Sequence, residues 1–532
     1  MGRSFSSSFL AGDPKARGFL SLDFREARDR EARVRRAAES RVSPALLEVL
    51  REQNAKLPVS AAREANLRAL AEGRTAVVVT GQQVGLFLGP LFALYKAASA
   101  VVYARRLERE TGVRCVPLFW LQTEDHDFAE IATVTVMAAD GAPVELALAP
   151  EDPGAARTAV AQRVLGRDIE ALLARLGEAL PPGEAADETL ALLRAHYRPG
   201  NGVSAAFAGV MATLFADQGL LFLDPRDARV AAAAAPIYGA ALEAAGALEA
   251  ELSARGAALA AAGFDEQIPA RPGCALVFFH HGGVHGPRFR LQREGQAWRL
   301  SGHDATVGAA DVAGALAREP LRFSTSALLR PIVQDVLLPA AAYVGGPAEV
   351  SYFAQLEPVY ERLGAPAPLV IPRAKLVCIA ARARRLLEEL GLRPEDLARP
   401  EAELLARGAG GPSLRARIAA ELTPLMDSLT REAVAAEPGL DHAAQRTRAS
   451  VAHALERFTA RFEQARAARA GAAVERLRRL RAELVPGGAP QERFYAWPSL
   501  AGRHGPAALT RLVLQAIEEA EPFPTRVLEL RP

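Results

Sequence analysis

Cysteine is nearly absent from this chain. Cys115, Cys274 and Cys378 are the three it has, odd in number and widely separated. With no C-x-x-C they offer neither a disulfide framework nor a cysteine-ligated zinc site, so no metal is expected from them. Cys115 and Cys378 lie in apolar runs and read as core residues. Lysine is almost as scarce: Lys15, Lys56, Lys96 and Lys375 are the only four. Acid and base nearly cancel, 62 Asp+Glu against 64 Lys+Arg, so net charge gives no reason to expect a nucleic-acid partner. No apolar run reaches the ~18 residues of a membrane helix, and MGRSFSSSFL lacks the hydrophobic stretch of a secretion signal. A cytoplasmic protein without a membrane partner is the expectation. Two phosphate-binding signatures are missing too. There is no G-x-x-x-x-G-K-[ST] and no G-x-G-x-x-G, which disfavours a dinucleotide oxidoreductase.

What the chain does have is concentrated in residues 75–130. Thr75 to Thr80 is a β-branched apolar run, the pattern of a strand buried on both faces. Gly81, Gly85 and Gly89 break it, and Pro90 suits a first helical position. Leu91, Leu94, Ala98 and Val101 then mark one face of a helix. Gly112 ends the helix, and Cys115 to Leu121 makes a second buried strand. A β-α-β unit crosses over right-handed. Residues 81–90 and the acidic cluster Glu124-Asp125-His126-Asp127 should therefore emerge at the carboxyl ends of neighbouring strands, where open α/β sheets bind ligands.

A glycine loop opening a helix offers free N–H groups and partial positive charge to a phosphate or carboxylate. Thr80, Gly81, Gln82, Gln83, Gly85, Gly89 and Pro90 are candidate binding residues on this ground, helped by Lys96 if it faces the cleft. The competing reading is a packing loop with glycines at left-handed positions. Asp125 and Asp127 suit a substrate ammonium or ribose hydroxyls, and His126 suits a general base. Against that, the acids can simply satisfy loop N–H groups. Crowded carboxylates raise each other's pKa and that of a neighbouring imidazole. Asp125→Asn and Asp127→Asn are accordingly expected to leave folding intact or slightly improved.

TGQQVGLFLGPLFALYK with FWLQTEDHDFAEI, the block FSTSALLRPIVQDVLLPAAAYVGGPAEVSYFAQLEPVY at 323–360, and PLVIPRAKL at 368–376 resemble the cysteine ligase family of bacillithiol synthesis (BshC). The resemblance implies an α/β fold: a Rossmann-like parallel-sheet core of the class I aminoacyl-tRNA-synthetase kind, two inserted connecting segments and a C-terminal α-helical coiled coil that makes a homodimer. It also implies a ligase that joins cysteine to glucosaminyl-malate by an amide bond. That reaction needs an activated carboxylate, so ATP or ADP, with any magnesium carried on the nucleotide, is the cofactor it calls for. A non-catalytic nucleotide-binding dimeric scaffold is the alternative. The place of the synthetase HIGH motif is held by Gly89-Pro90-Leu91-Phe92, without histidine, and Arg373 and Lys375 are the nearest counterparts of its lysine loop. In the second block, Ser324, Thr325 and Ser326 read as the opening of a helix carrying Arg330 and Gln334. Gly346 follows in a turn, then Glu349 and Tyr352; with Thr325 and Glu124 these complete the candidate binding set.

The remaining chain divides on texture. Residues 1–375 read as the core, with insertions at about 131–220 and 226–320. Within them, residues 131–149 form a hairpin at Asp140-Gly141, and Leu220 to Leu223 rejoins the sheet. His280, His281 and His285 flank a second hairpin, but neighbouring histidines on a strand point to opposite faces, which argues against a metal. Residues 376–486 are charged and helical. Leu414, Ile418, Leu422, Leu425 and Leu429 make one stripe, with a kink expected at Pro424. Val451, Leu455, Phe458, Phe462 and Ala465 keep a 4,3,4,3 spacing that Ala473, Leu477, Leu480 and Leu484 resume, the mark of a helical hairpin or coiled coil. Residues 487–532 should return to the core.

Overall fold

The computed structural model describes residues 4–151, 157–399, 404, 418–520, 523–524 and 527–531. It forms two compact units. Met1–Cys378 and Gln491–Pro532 make the first, and Ile379–Pro490 the second.

Fourteen strands are described. In chain order they are β1 (Thr75–Gln82), β2 (Arg114–Leu121), β3 (Thr133–Met137), β4 (Pro143–Ala147), β5 (Leu221–Leu223), β6 (Cys274–His280) and β7 (Arg288–Glu294). β8 (Ala297–Leu300), β9 (Thr306–Gly308), β10 (Phe323–Thr325), β11 (Ala340–Gly345), β12 (Leu369–Pro372), β13 (Lys375–Cys378) and β14 (Val527–Leu530) follow. The core sheet runs β12-β11-β1-β2-β5, every pair parallel. This is the Rossmann order, in which the first strand sits centrally and the chain winds outward to both sides. Apolar runs dictate it: β11 is buried at every residue, and β1 at all but Gln82. The topological switch lies between β1 and β11, so the ligand crevice of such a fold belongs at their carboxyl ends. Close packing there admits little side chain. A Cβ on Gly81 would lie 2.9 Å from the Trp120 carbonyl oxygen of β2.

The helix Phe92–Thr111 connects β1 to β2 and is buried nearly all round, from Ala93 to Ala104 without a break. One apolar face was expected; instead strands, the helix Ala27–Ala38 and the helix Pro506–Glu519 pack around it. It also begins at Phe92, with Pro90 outside it. Pro90 is held in a bridge to Ala496, while Leu91 N donates to Tyr495 O (2.9 Å) and Trp497 N to Gly89 O (3.2 Å). Two long segments leave the core sheet, one after β2 and one after β5. The second carries an antiparallel sheet, β10-β6-β7-β8-β9. Phe323–Thr325 belongs to that sheet, paired with β6, rather than opening a helix; the helix starts at Arg330. Ser326 instead turns the chain, its Oγ accepting from Leu329 N.

Residues 491–532 complete the first unit. Tyr495 and Trp497 are fully buried and β14 pairs in parallel with β13. Gln491 and Cys378 clasp each other, Cys378 N donating to Gln491 Oε1 (2.9 Å) and Gln491 Nε2 to Cys378 O (3.1 Å).

In the second unit, Thr423–Ala436 folds back through Pro438–Leu440 onto the 44-residue helix Asp441–Leu484. Arg448 pairs with Asp427 across the hairpin (2.8 Å). Pro424 falls in the first turn of Thr423–Ala436, directly after a π-helical turn at Ile418–Leu422. Leu414 and the side chains of Ala465 and Ala473 lie outside the described residues. Among the described residues no single helix is long and apolar enough to cross a membrane.

Candidate active site

A cavity of 520 Å³ opens at the carboxyl edge of the core sheet. Every strand around the switch point contributes to it: Gly81, Gln82 and Gln83 from the end of β1, Gln122, Asp125 and His126 beyond β2, Gly346 beyond β11, and Arg373 beyond β12. The inserted sheet adds Phe278, Arg288, Arg290 and Thr325, and the returning C-terminal segment adds Arg493. Lys96, Arg330, Glu349 and Tyr352 close the wall.

Lys96 faces this wall but has no proton to spare. An ammonium has three N–H donors, and here they meet Gly81 O (2.8 Å), Gln82 Oε1 (2.9 Å) and the Glu349 carboxylate. Glu349 in turn accepts from Tyr343 OH and from Gly346 N. Burial opposes ionisation of Glu349, but Lys96 and Arg330 outweigh it and hold its carboxyl below the usual range. Lys96 is a strut joining β1, the long helix and the β11 turn, not a free phosphate ligand.

The glycine loop is no anion cradle either. Tyr495 O already takes the Leu91 N–H at the helix start, and Leu86, Phe87 and Leu88 fill the loop, wholly buried. Gly85 and Gly89 answer each other: a Cβ on Gly85 would stand 3.1 Å from the Gly89 Cα. The packing reading therefore holds for Gly85, Gly89 and Pro90. Thr80 points to β11, donating to Val344 O (2.8 Å).

The acidic cluster separates residue by residue. Glu124 is buried outside the cavity, accepting from Thr325 Oγ1 and N, and burial pushes its carboxyl up. Asp127 is exposed and caps the next short helix through Glu130 N. Only Asp125 and His126 reach the cavity. Asp125 accepts from Gln83 Nε2 (3.0 Å), His126 N (2.7 Å) and Arg288 Nη1 (3.2 Å). Mutual repulsion does not set these pKa values. Burial would raise Asp125, but Arg288 beside it carries its carboxyl below the ordinary value. Burial and the same guanidinium push the His126 imidazole down, not up.

Behind the cavity, Arg330 donates to Gln334 Oε1 (2.8 Å) and Tyr352 OH (2.9 Å). Gln334 is fully buried and only supports it; its Nε2 passes the chain on to Asp335 Oδ1 (2.8 Å). Burial pushes Asp335 up to about 6, well above its ordinary ~3.9. The folded state thus binds the extra proton, and Asp335 erodes stability as pH rises from about 4 to about 6. Asp335→Asn keeps the acceptor for Gln334 and removes the titration. Denaturant melts at pH 4 and pH 7 should show the variant gaining about 2–3 kcal/mol on the wild type between them. A constant difference would mean that Asp335 does not titrate there.

Two family models cover the chain: the N-terminal Rossmann-like domain of bacillithiol biosynthesis BshC matches residues 2–374, and its C-terminal coiled-coil domain matches 376–523. The chain belongs to the BshC family. Relatives agree. The BshC protein of Salinibacter ruber is 33% identical over 478 residues, 88% of this chain and 85% of its own. That of Koribacter versatilis is 34% identical over 409 residues (77% and 74%), and that of Solibacter usitatus 34% over 474 (87% and 85%). All three are named as candidate cysteine ligases.

In this BshC-family cavity, the expected residues Gly81, Gln82, Gln83, Lys96, Asp125, His126, Thr325, Arg330, Gly346, Glu349, Tyr352 and Arg373 line one space. Thr80, Gly85, Gly89, Pro90, Glu124, Asp127, Gln334 and Lys375 lie outside its lining. Lys375 sits half-buried on β13, beside β14. Arg288, Arg290 and Arg493 went unread, although Arg288 and Arg290 alternate on β7 and so share a face. In a chain whose basic residues are nearly all arginine, that spacing does not stand out.

Proposed function

We propose that this cavity is where the chain joins cysteine to the amine of glucosaminyl-malate, with a nucleoside triphosphate activating the carboxylate. The observation that carries this is the charge of the lining. With Lys96 paired to Glu349, Arg288 to Asp125 and Arg373 to Glu492, the lining still sets Arg290, Arg330 and Arg493 against Glu130, an excess of cations suited to a dicarboxylate and to phosphates. Arg373 also lines the cavity, its guanidinium fixed by Glu492 through both Nη atoms (2.8 and 2.6 Å).

The step balances as follows. The cysteine carboxylate attacks the γ-phosphorus, forming an acyl phosphate and expelling the nucleoside diphosphate, or the α-phosphorus, forming an acyl adenylate and expelling pyrophosphate. The acceptor amine then attacks the acyl carbon; the C–N bond forms, the activating group leaves on its oxygen, and the nitrogen gives up one proton. Purified protein with cysteine, glucosaminyl-malate and ATP should yield the amide by mass spectrometry. Pyrophosphate release would mark adenylation and phosphate release an acyl phosphate. Nucleotide binding without product, whatever the acceptor, would favour the scaffold.

We also propose that the second unit makes a homodimer. Leu425, Leu429 and Phe458 are each more than half exposed on the hairpin, an apolar surface of the kind that marks a partner. Leu425→Asp combined with Phe458→Asp should convert dimer to monomer in light scattering. An unchanged mass would place the interface elsewhere.

A further inference from the structure

Arg288 is among the most constrained side chains around the cavity. Its Nε donates to Ser324 Oγ (2.9 Å) and its Nη2 to Thr325 O (2.6 Å), and the guanidinium lies 3.8 Å from the Phe278 ring centroid. Only 4% of the side chain is exposed. So fixed, its Nη1 stands 3.1 Å from His126 Nδ1 and 3.2 Å from Asp125 Oδ1.

We propose that Arg288 positions His126 as a neutral hydrogen-bond donor, its Nε2–H offered to an anionic oxygen of the bound substrate, rather than as a general base. A guanidinium has donors only and keeps its charge in proteins. The Nδ1 atom it meets must therefore present a lone pair, and the ring proton must sit on Nε2. The other tautomer would set N–H against N–H at 3.1 Å, with only Asp125 Oδ1 at 3.5 Å in return. That oxygen already accepts from His126 N and Arg288.

The charged groups acting on the ring are Arg288, Arg157, Asp125 and Asp127. Burial and Arg288 dominate, so the imidazole stays uncharged at neutral pH. A neutral imidazole donor polarises a substrate oxygen without losing its proton. The excess of cations in the lining says that the ligand brings such oxygens. What the donor touches rests on the ligase reading above; the tautomer does not.

The test uses the full chain labelled with ¹⁵N-histidine, which has nine histidines, with His126→Gln identifying the His126 signals. The wild type should show a protonated Nε2 and a bare Nδ1 at pH 7. An Nδ1–H form or an imidazolium would overturn the proposal. In a folded Arg288→Met variant the single tautomer should give way to a mixture, and its persistence would remove Arg288 from the positioning role. In turnover, glutamine retains an N–H near the Nε2 position. His126→Gln should remain within about tenfold of wild type while His126→Ala falls about 10²–10³-fold, the scale of one lost oxyanion donor. Gln as impaired as Ala would restore the base, and Ala near wild type would remove His126 from the chemistry. If the wild type makes no amide, the ligase reading fails while the tautomer result stands by itself.

Discussion

Lys96→Met should lower the stability of the protein by about 3–5 kcal/mol, the range for breaking a buried ion pair from one side. Lys96 is 3% exposed and Glu349 17%, so solvent does little to compensate either. Methionine fills the space but leaves the Glu349 carboxylate facing Gly81 O and Gln82 Oε1, two acceptors that have lost their donor. The end of β1, the long helix and the β11 turn then lose their common tie. Adding Glu349→Gln removes the stranded charge and should return part of the loss, because replacing both partners costs less than deleting one. Urea melts of the three proteins decide it. A single variant within about 1 kcal/mol of wild type, with weakened nucleotide binding, would return Lys96 to the role of phosphate ligand.

Asp125→Asn should cut amide formation by at least about 10²-fold and also destabilise by about 1–3 kcal/mol. Asparagine can still accept from His126 N and Arg288, but its amide nitrogen meets Gln83 Nε2, donor against donor, and the buried guanidinium loses its counter-charge. This reverses the expectation from the sequence, in which three carboxylates repel one another and amidation relieves them. Asp127→Asn, one side chain away, should be close to silent in both assays, since asparagine caps a helix as well as aspartate does. A stabilised Asp125→Asn protein, or an inactive Asp127→Asn one, would contradict the charge arrangement around Arg288.

The contrast shows which relations a sequence carries. Thr75–Gln82 and Arg114–Leu121 are legible because a strand buried on both faces needs an unbroken apolar run. Both lie within one β-α-β unit, and the two ends of that unit do reach one cavity. The partner of the helix N-terminus is not legible because Tyr495 O, which takes the Leu91 N–H, lies some four hundred positions downstream. No local pattern records it. Ser324 and Thr325 have the chemistry of a helix cap, and only the distant β6 makes them a strand. Arg288 acts on Asp125 and His126 from β7, and nothing near Asp125 in the chain announces it.

The clasp between Cys378 and Gln491 has a consequence for how the protein is made. A ribosome delivers the sheet strands, then about 110 further residues, before Gln491 emerges. At ~5–20 residues per second that interval is on the order of 6–20 s. Throughout it the start of the Phe92–Thr111 helix lacks its Tyr495 cap, the surface that Trp497 covers is bare, and β13 has an open edge where β14 will pair. Unpaired edges and exposed apolar surface are what chaperones bind and what aggregation recruits. The nascent core should therefore need protection until residues 491–532 arrive, and the yield of folded protein should follow chaperone supply more closely than the final stability.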